Sequence, residues 1–245
     1  MYNFTYVPPR LYKPVKKELI ELIKLVQDEV REDFTFQYNF IGSSSRNMIT
    51  RDKKTNVGYD FDVDLIINDR YYEFDPEYIK NSIINALNKH KGRFKYNKIE
   101  NSKRVITIKS VDHKNSRIKY SCDFALVRNY IDDEEVEGQE YIFYNKKKLK
   151  CEWQEQTRGF YELSDKVEWI KENSLWNEVR IYYLEKKNRN TNHYKKSRSL
   201  YAEAVNDIYY KYSEIDDDNE TKNDNSYPIM SSLGLWARNY TQYSR

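Results

Sequence analysis

Hydrophobic positions near the start of the chain recur at helical spacing. Leu19, Leu22, Ile23, Val26 and Val30 fall three and four residues apart and predict a helix over 15–31, behind the punctuation of Pro8, Pro9 and Pro14. The period then changes to two. Phe34, Phe36, Tyr38 and Phe40 alternate with Thr35, Gln37 and Asn39, which predicts a strand running directly into Ile41-Gly42-Ser43-Ser44-Ser45-Arg46. A polar connector, Asn47–Asn56, leads to Gly58-Tyr-Asp-Phe-Asp-Val-Asp-Leu-Ile-Ile67, whose apolar end predicts a buried strand. Asp75-Pro76 offers a cap and a first-turn proline for a helix buried through Ile79, Ile83, Ile84 and Leu87. Arg104–Lys109 and Arg117–Val127 predict two strands, and the short polar loop between them predicts an antiparallel hairpin. Acidic residues 132–140 are expected as a solvated loop, with Tyr141–Phe143 as one further strand.

From about residue 160 the pattern turns helical. Helices are predicted over Ser164–Asn173, with Ser164 as N-cap, over Trp176–Lys187 and over Ser199–Tyr212. Asp216–Asn225 is polar and expected to be mobile, and Ile229–Tyr243 is expected to form a last helix. The expected architecture is α+β. An N-terminal lobe, residues 1–155, carries a small mixed or antiparallel sheet with helices; a helical lobe, residues 156–245, faces it across a cleft.

Composition narrows the class. The 245 residues include 24 Tyr, 10 Phe and 4 Trp but only 6 Gly and 5 Pro, which excludes collagen-like and linker-dominated chains. The 42 basic and 39 acidic residues nearly cancel, so no bulk field argues for nucleic acid. Cys122 and Cys151 make no disulfide framework, and His90, His113 and His193 lack zinc-ligand spacing. No apolar run approaches the roughly 18 residues of a membrane span, and the first ten residues lack an apolar leader core. The expectation is a soluble protein of the reducing cytoplasm.

The chemistry lies in one constellation. On a strand, residues i and i+2 share a face at roughly 6.6 Å along the chain. Asp60, Asp62 and Asp64 therefore point one way, while Phe61, Val63 and Leu65 pack on the other. Three carboxylates on one face repel one another unless a cation sits among them, and Mg²⁺ is the natural hard ion. The competing reading is an edge strand whose charges block further pairing. Asp123, between Cys122 and Phe124, is a fourth carboxylate in mid-strand and joins the cluster if its strand lies beside the first. Gly42-Ser43 supplies the complement, a glycine at a strand end where backbone N–H groups can cradle phosphate. Carboxylates for two ions about 3.5–4 Å apart, next to a phosphate turn, make a site for a nucleoside triphosphate.

These residues resemble the polymerase-β-type nucleotidyltransferase superfamily. Within it, Asp60-Phe-Asp-Val-Asp-Leu-Ile-Ile67 is most similar to the CD-NTase-like branch, the bacterial cyclic-oligonucleotide synthases related to cyclic GMP–AMP synthases and oligoadenylate synthetases. The motifs cover residues 34–128. Trp176, Arg180, Tyr183, Lys187-Asn188, Tyr201 and Asn206 resemble the branch's helical lobe more loosely. The resemblance implies a two-lobed enzyme of nucleotide signalling and antiviral defence. An Asp-x-Asp pair and a third Asp would bind two Mg²⁺ (Mn²⁺ as substitute), and a hydroxyl would attack the α-phosphate with release of pyrophosphate. Gly42 and Ser43 take the triphosphate role and Asp123 the third carboxylate. The pair is either Asp60/Asp62 or Asp62/Asp64, and Asp62 belongs to both.

Three departures stand beside the match. Sixteen residues separate Ser43 from Asp60, a longer connector than many members carry; Ser44-Ser45-Arg46-Asn47 lacks the usual Gly-Thr ending; and 245 residues is short for a cyclic-oligonucleotide synthase. In the basic stretch Arg180–Arg198, Lys187 and Lys195 are candidates to reach a phosphate, and Tyr201 or Tyr194 to stack a base. The same stretch can be a solvated helix end, or touch an RNA or DNA ligand or activator through phosphates. Two other functions stay open: transfer of a nucleoside monophosphate to a protein or small-molecule acceptor, and a catalytically silent nucleotide- or RNA-binding module.

Overall fold

The computed structural model describes residues 2–69, 73–131, 135–156, 161–192 and 194–220. The helix expected over Ile229–Tyr243, residues 221–225 of the polar stretch, and His193 lie outside the described residues. A short strand β1 (Phe4–Tyr6) precedes α1 (Pro9–Val30). This helix starts six residues before the sequence pattern predicts. Pro9 occupies its first turn, Tyr12 extends the buried face of Leu19, Leu22, Ile23, Val26 and Val30, and Pro14 is carried inside at the loss of one ladder bond.

The main sheet is built from β2 (Phe36–Ile41), β4 (Tyr59–Ile67), β5 (Lys98–Asn101), β6 (Val105–Asp112), β7 (Arg117–Ile131), β8 (Glu137–Asn145) and β9 (Lys150–Glu155). Its order is β2-β4-β7-β6-β5, with β8 also on β7 and β9 on β8. Every pair in it is antiparallel except β4–β7. That parallel pair needs a crossover, which runs through α3 (Pro76–His90) and the β5–β6 hairpin. The Asp75 carboxylate caps α3, accepting from Glu77 N at 2.7 Å and Tyr78 N at 3.2 Å. A four-residue helical turn α2 (Gly42–Ser45) follows β2, and β3 (Thr50–Asp52) pairs with β1.

The acidic loop expected over 132–140 is corrected at its end: Glu137–Glu140 belong to β8 and pair with Arg128–Ile131. Two contacts explain it. Gly138 lets the Tyr130 ring lie where a side chain would stand, since an added Cβ would meet Tyr130 Cζ at 2.3 Å. Glu140 is held by the buried Arg128, Nη2 to Oε2 2.6 Å.

The helical part comprises α4 (Tyr161–Glu172), α5 (Trp176–Arg189) and α6 (Ser197–Glu220). Ser164 is not an N-cap. The helix begins three residues earlier because Leu163 already packs into the apolar cluster with Val167 and Ile170. Residues 216–220, expected as mobile, continue α6.

Hydrophobic residues gather in two clusters. One fills the space between α1, α3 and one face of the sheet, including Phe61, Val63, Leu65, Phe124 and Leu126. The other lies among α4, α5 and α6 and takes in Met48, which follows the Gly-Ser turn. Cys122 and Cys151 are both buried free thiols. Among the described residues, no helix is long and apolar enough to cross a membrane.

Candidate nucleotide site

The alternation of β4 divides its residues cleanly. Tyr59, Phe61, Val63, Leu65 and Ile67 are buried; Asp60 is exposed, and Asp62 and Asp64 are half-buried on the opposite face. Strand pairing then assembles the site. Asp62 lies in register with Ile41 of β2 on one side and with Asp123 of β7 on the other. The chain leaves β2 at Gly42, whose φ of +64° is the left-handed conformation that glycine adopts freely. A Cβ on Gly42 would stand 2.5 Å from Asp62 Oδ2, so the turn and the carboxylate are in direct contact. Within the turn, Ser44 Oγ donates to the Ile41 carbonyl at 2.8 Å and Ser45 Oγ to the Gly42 carbonyl at 3.0 Å. Ser43 accepts Met48 N–H at its backbone carbonyl, 2.9 Å.

The carboxylates disturb one another. Burial, then repulsion from Asp60 and Asp123, pushes the Asp62 carboxyl up to about 7, against an opposing pull from Arg46. Asp123 is also raised, by burial and by Asp60, while a hydrogen bond from Thr107 Oγ1 at 2.6 Å works the other way. Asp64 rises to about 6 through burial alone. Asp60, Asp62 and Asp123 are therefore one interacting set, and Asp64 joins it through Asp62, whose carboxyl its charge also raises. Among the described residues, no three acidic, histidine or cysteine side chains already enclose a metal ion. The donor set nevertheless fits a hard divalent cation: all-oxygen ligands whose mutual repulsion Arg46 and Lys109 offset only in part.

Cationic groups come from two directions. Arg46, at the end of the Gly-Ser turn, is half-buried with its guanidinium carbon 3.8 Å from the centroid of the Tyr201 ring. Tyr201 is buried and also meets Trp176 and Tyr183 edge-on. Lys187 is buried too. Its ammonium donates to Thr50 Oγ1 at 2.7 Å and sits 4.2 Å from the Phe4 ring centroid. Burial lowers its pKa, and the charges of Asp60 and Asp52 raise it. Lys195 is ion-paired with Glu203 at 2.6 Å, and Tyr194 is exposed. Of the residues predicted from sequence, the structure gathers Gly42, Ser43, Asp60, Asp62 and Asp123. It sets Lys187 within electrostatic reach of Asp60 and occupies Tyr201 with Arg46.

Sequence reasoning passed over Arg46 and Thr107. Arg46 carried a signal, a cation three residues after the Gly-Ser pair; Thr107 becomes notable only once β6 is set beside β7. An open groove of about 490 Å³ runs along α5, lined by Tyr6, Arg180, Ile181, Leu184 and Asn188 among others, and none of the aspartates lines it.

No protein-family model matches the chain, and no curated protein matches it. Solved structures do match, and they define the fold as the nucleotidyltransferase fold of CD-NTases. One is the STING-associated CdnE c-di-GMP synthase from Capnocytophaga granulosa, at 18% identity and TM-score 0.53, covering 82% of this chain and 61% of that one. Another is Vibrio cholerae DncV in its 3′-deoxy ATP bound form, at 14% identity and TM-score 0.51, covering 82% and 52%. A third is the Rhodothermus marinus CdnE c-UMP-AMP synthase, solved with Apcpp and Upnpp, at 11% and 0.50, covering 82% and 75%. At these identities the likeness establishes the fold. The chain spans about half of the Vibrio protein and three-fifths of the Capnocytophaga one.

Proposed function

We propose that this chain is a Mg²⁺-dependent nucleotidyltransferase that joins nucleoside triphosphates into a cyclic or short oligonucleotide signal. The observation that carries this reading is the contact of the Gly42 turn with Asp62, itself in register with Asp123. It sets the glycine turn, which we assign to phosphate binding, against a carboxylate cluster. We take residues 1–155 as the catalytic core and 156–245 as the helical lobe.

Asp60, Asp62 and Asp123 are assigned as metal ligands. Of the two possible Asp-x-Asp pairs, Asp60/Asp62 is favoured, because the Asp60 charge bears on both Asp62 and Asp123. Bound there, two divalent ions would help activate the attacking hydroxyl and neutralise the departing pyrophosphate. The chain's own groups do the rest. Gly42 and Ser43 hold the triphosphate through the turn, and Arg46, resting on Tyr201, offers a planar guanidinium to its oxygens. The hydroxyl attacks the α-phosphorus as the bond to pyrophosphate breaks, and its proton is lost to a carboxylate of the cluster or to solvent. Lys187, near Asp60, is the first helical-lobe candidate for the nucleotide. Lys195 follows, once released from Glu203.

Incubation with each α-labelled triphosphate and Mg²⁺ or Mn²⁺, with and without RNA or DNA, tests this. Phosphatase-resistant small products are expected. Label on a protein or small-molecule acceptor would redirect the chemistry to acceptor transfer. No turnover, together with salt-sensitive nucleic-acid binding, would leave a binding module instead. Asp62→Asn is expected to abolish turnover while leaving the melting temperature at or above that of the wild type. Undiminished turnover in that variant overturns the ligand assignment.

A further inference from the structure

Asp123 reaches the cluster from a different strand than Asp60 and Asp62, so its aim depends on local restraint. Its neighbour across the β6–β7 ladder is Thr107, directly in register. The Thr107 hydroxyl donates its single proton to Asp123 Oδ1 at 2.6 Å, a short bond of the charge-assisted kind. Lys109, whose charge also acts on Asp123, makes its ion pair elsewhere: its Nζ is 2.5 Å from Glu100 Oε2, and Lys98 bonds the same carboxylate's other oxygen at 2.7 Å. Among the described residues, Thr107 thus supplies the side-chain hydrogen bond that Asp123 receives. A threonine χ1 is stiff on a strand, so the donor is held in one place. One oxygen of Asp123 is thereby fixed, and the other keeps its lone pairs.

We infer that Thr107 is a positioning residue, which orients the Asp123 carboxylate for divalent cations. The inference rests on the assignment of Asp123 as a metal ligand. Partners of this kind set the rotation of a ligand, and their loss typically costs about 10–100-fold in metal affinity or activity. Thr107→Val keeps the shape and the strand preference and removes the donor; Thr107→Ser keeps the donor.

The test measures Mn²⁺ binding to the nucleotide-free protein by loss of the free-ion paramagnetic resonance signal. Alongside it, the Mg²⁺ concentration giving half-maximal turnover is measured. Thr107→Val is expected to weaken Mn²⁺ binding and raise the Mg²⁺ requirement by about tenfold or more, with Thr107→Ser restoring both. Mn²⁺ affinity in Thr107→Val equal to wild type overturns the inference, and so does a serine variant as weak as the valine one. Thr107→Ala provides the same reading should the valine variant fold poorly. A wild-type protein that binds Mn²⁺ and turns over triphosphate while Thr107→Val matches it removes this inference alone. A wild type that does neither removes the nucleotidyltransferase reading as well.

Discussion

A methyl group on Gly42 would have to be carried at a φ of +64° and would meet a carboxylate oxygen at 2.5 Å. Side chains other than glycine cost about 1–3 kcal/mol in that backbone region. Gly42→Ala is therefore expected to lower the melting temperature by several degrees, at roughly 2–4 °C per kcal/mol for a chain of this size. The greater loss is expected in turnover, because the displaced atom is Asp62 Oδ2. Thermal melts beside a turnover assay check this, and a variant with wild-type turnover would show that the turn and the carboxylate do not act together. The residue scale is also where sequence was most and least informative. Asp60, Asp62 and Asp64 were legible as one face because strand alternation is a local rule. Asp123 was legible as an oddity, a charge between two apolar residues. Thr107 was not, because a threonine in a strand is ordinary until its cross-strand neighbour is known.

Elements whose period is local were read well: the buried face of α1, the alternation of β2 and β4, and the cap at Asp75. Strand β8 was not. Its start carries Glu137 and Glu140, and composition alone reads such a run as solvent-exposed. What makes it a strand lies twelve residues back, in Arg128. That guanidinium is almost fully buried over the Trp153 ring and bonds both Asp69 and Glu140. Removing one partner of a buried ion pair commonly costs about 3–5 kcal/mol, because the other charge stays behind. Arg128→Leu is expected to destabilise the fold by about that amount in urea titration. A change below about 1 kcal/mol, the range of exposed ion pairs, would mean that Asp69 and Glu140 are already solvated. The parallel β4–β7 pairing was likewise outside local reach. It joins strands sixty residues apart: the charge at Asp123 suggested that the two lie side by side, but nothing local specified that they run parallel.

Over the whole molecule, the only partly offset carboxylates make stability depend on pH and on divalent ions. An aspartate ordinarily titrates near 3.9, whereas Asp62 in the fold is pushed up to about 7 and Asp64 to about 6. The folded state thus holds these protons more tightly than the unfolded chain does. Between about pH 4 and 7 it binds more protons, so stability falls as pH rises through that window. Without divalent ions, this term makes the protein more stable at pH 5 than at pH 8. Mg²⁺ is expected to raise the melting temperature more at pH 8, where the carboxylates are ionised. A scanning-fluorimetry grid of pH against Mg²⁺ measures this, and an equal Mg²⁺ gain at both pH values counts against the cluster as a cation site.

The segment that follows the Gly-Ser turn joins both hydrophobic clusters, Met48 in that of the helices and Ile49 in that of the sheet. Met48 is packed among α4–α6, Arg46 lies on Tyr201, and the Asn47 carbonyl accepts from Arg180 Nη1 at 3.1 Å. Tyr6 and Lys187 close the same seam through Arg180 and Thr50. In the proposed function, the turn assigned to the triphosphate is consequently also tied, through the residues that follow it, to the helices. A displacement of α5 or α6 would reach Gly42 through Arg46, Asn47 and Met48, so loss of the helices is expected to disturb the turn even with every aspartate in place.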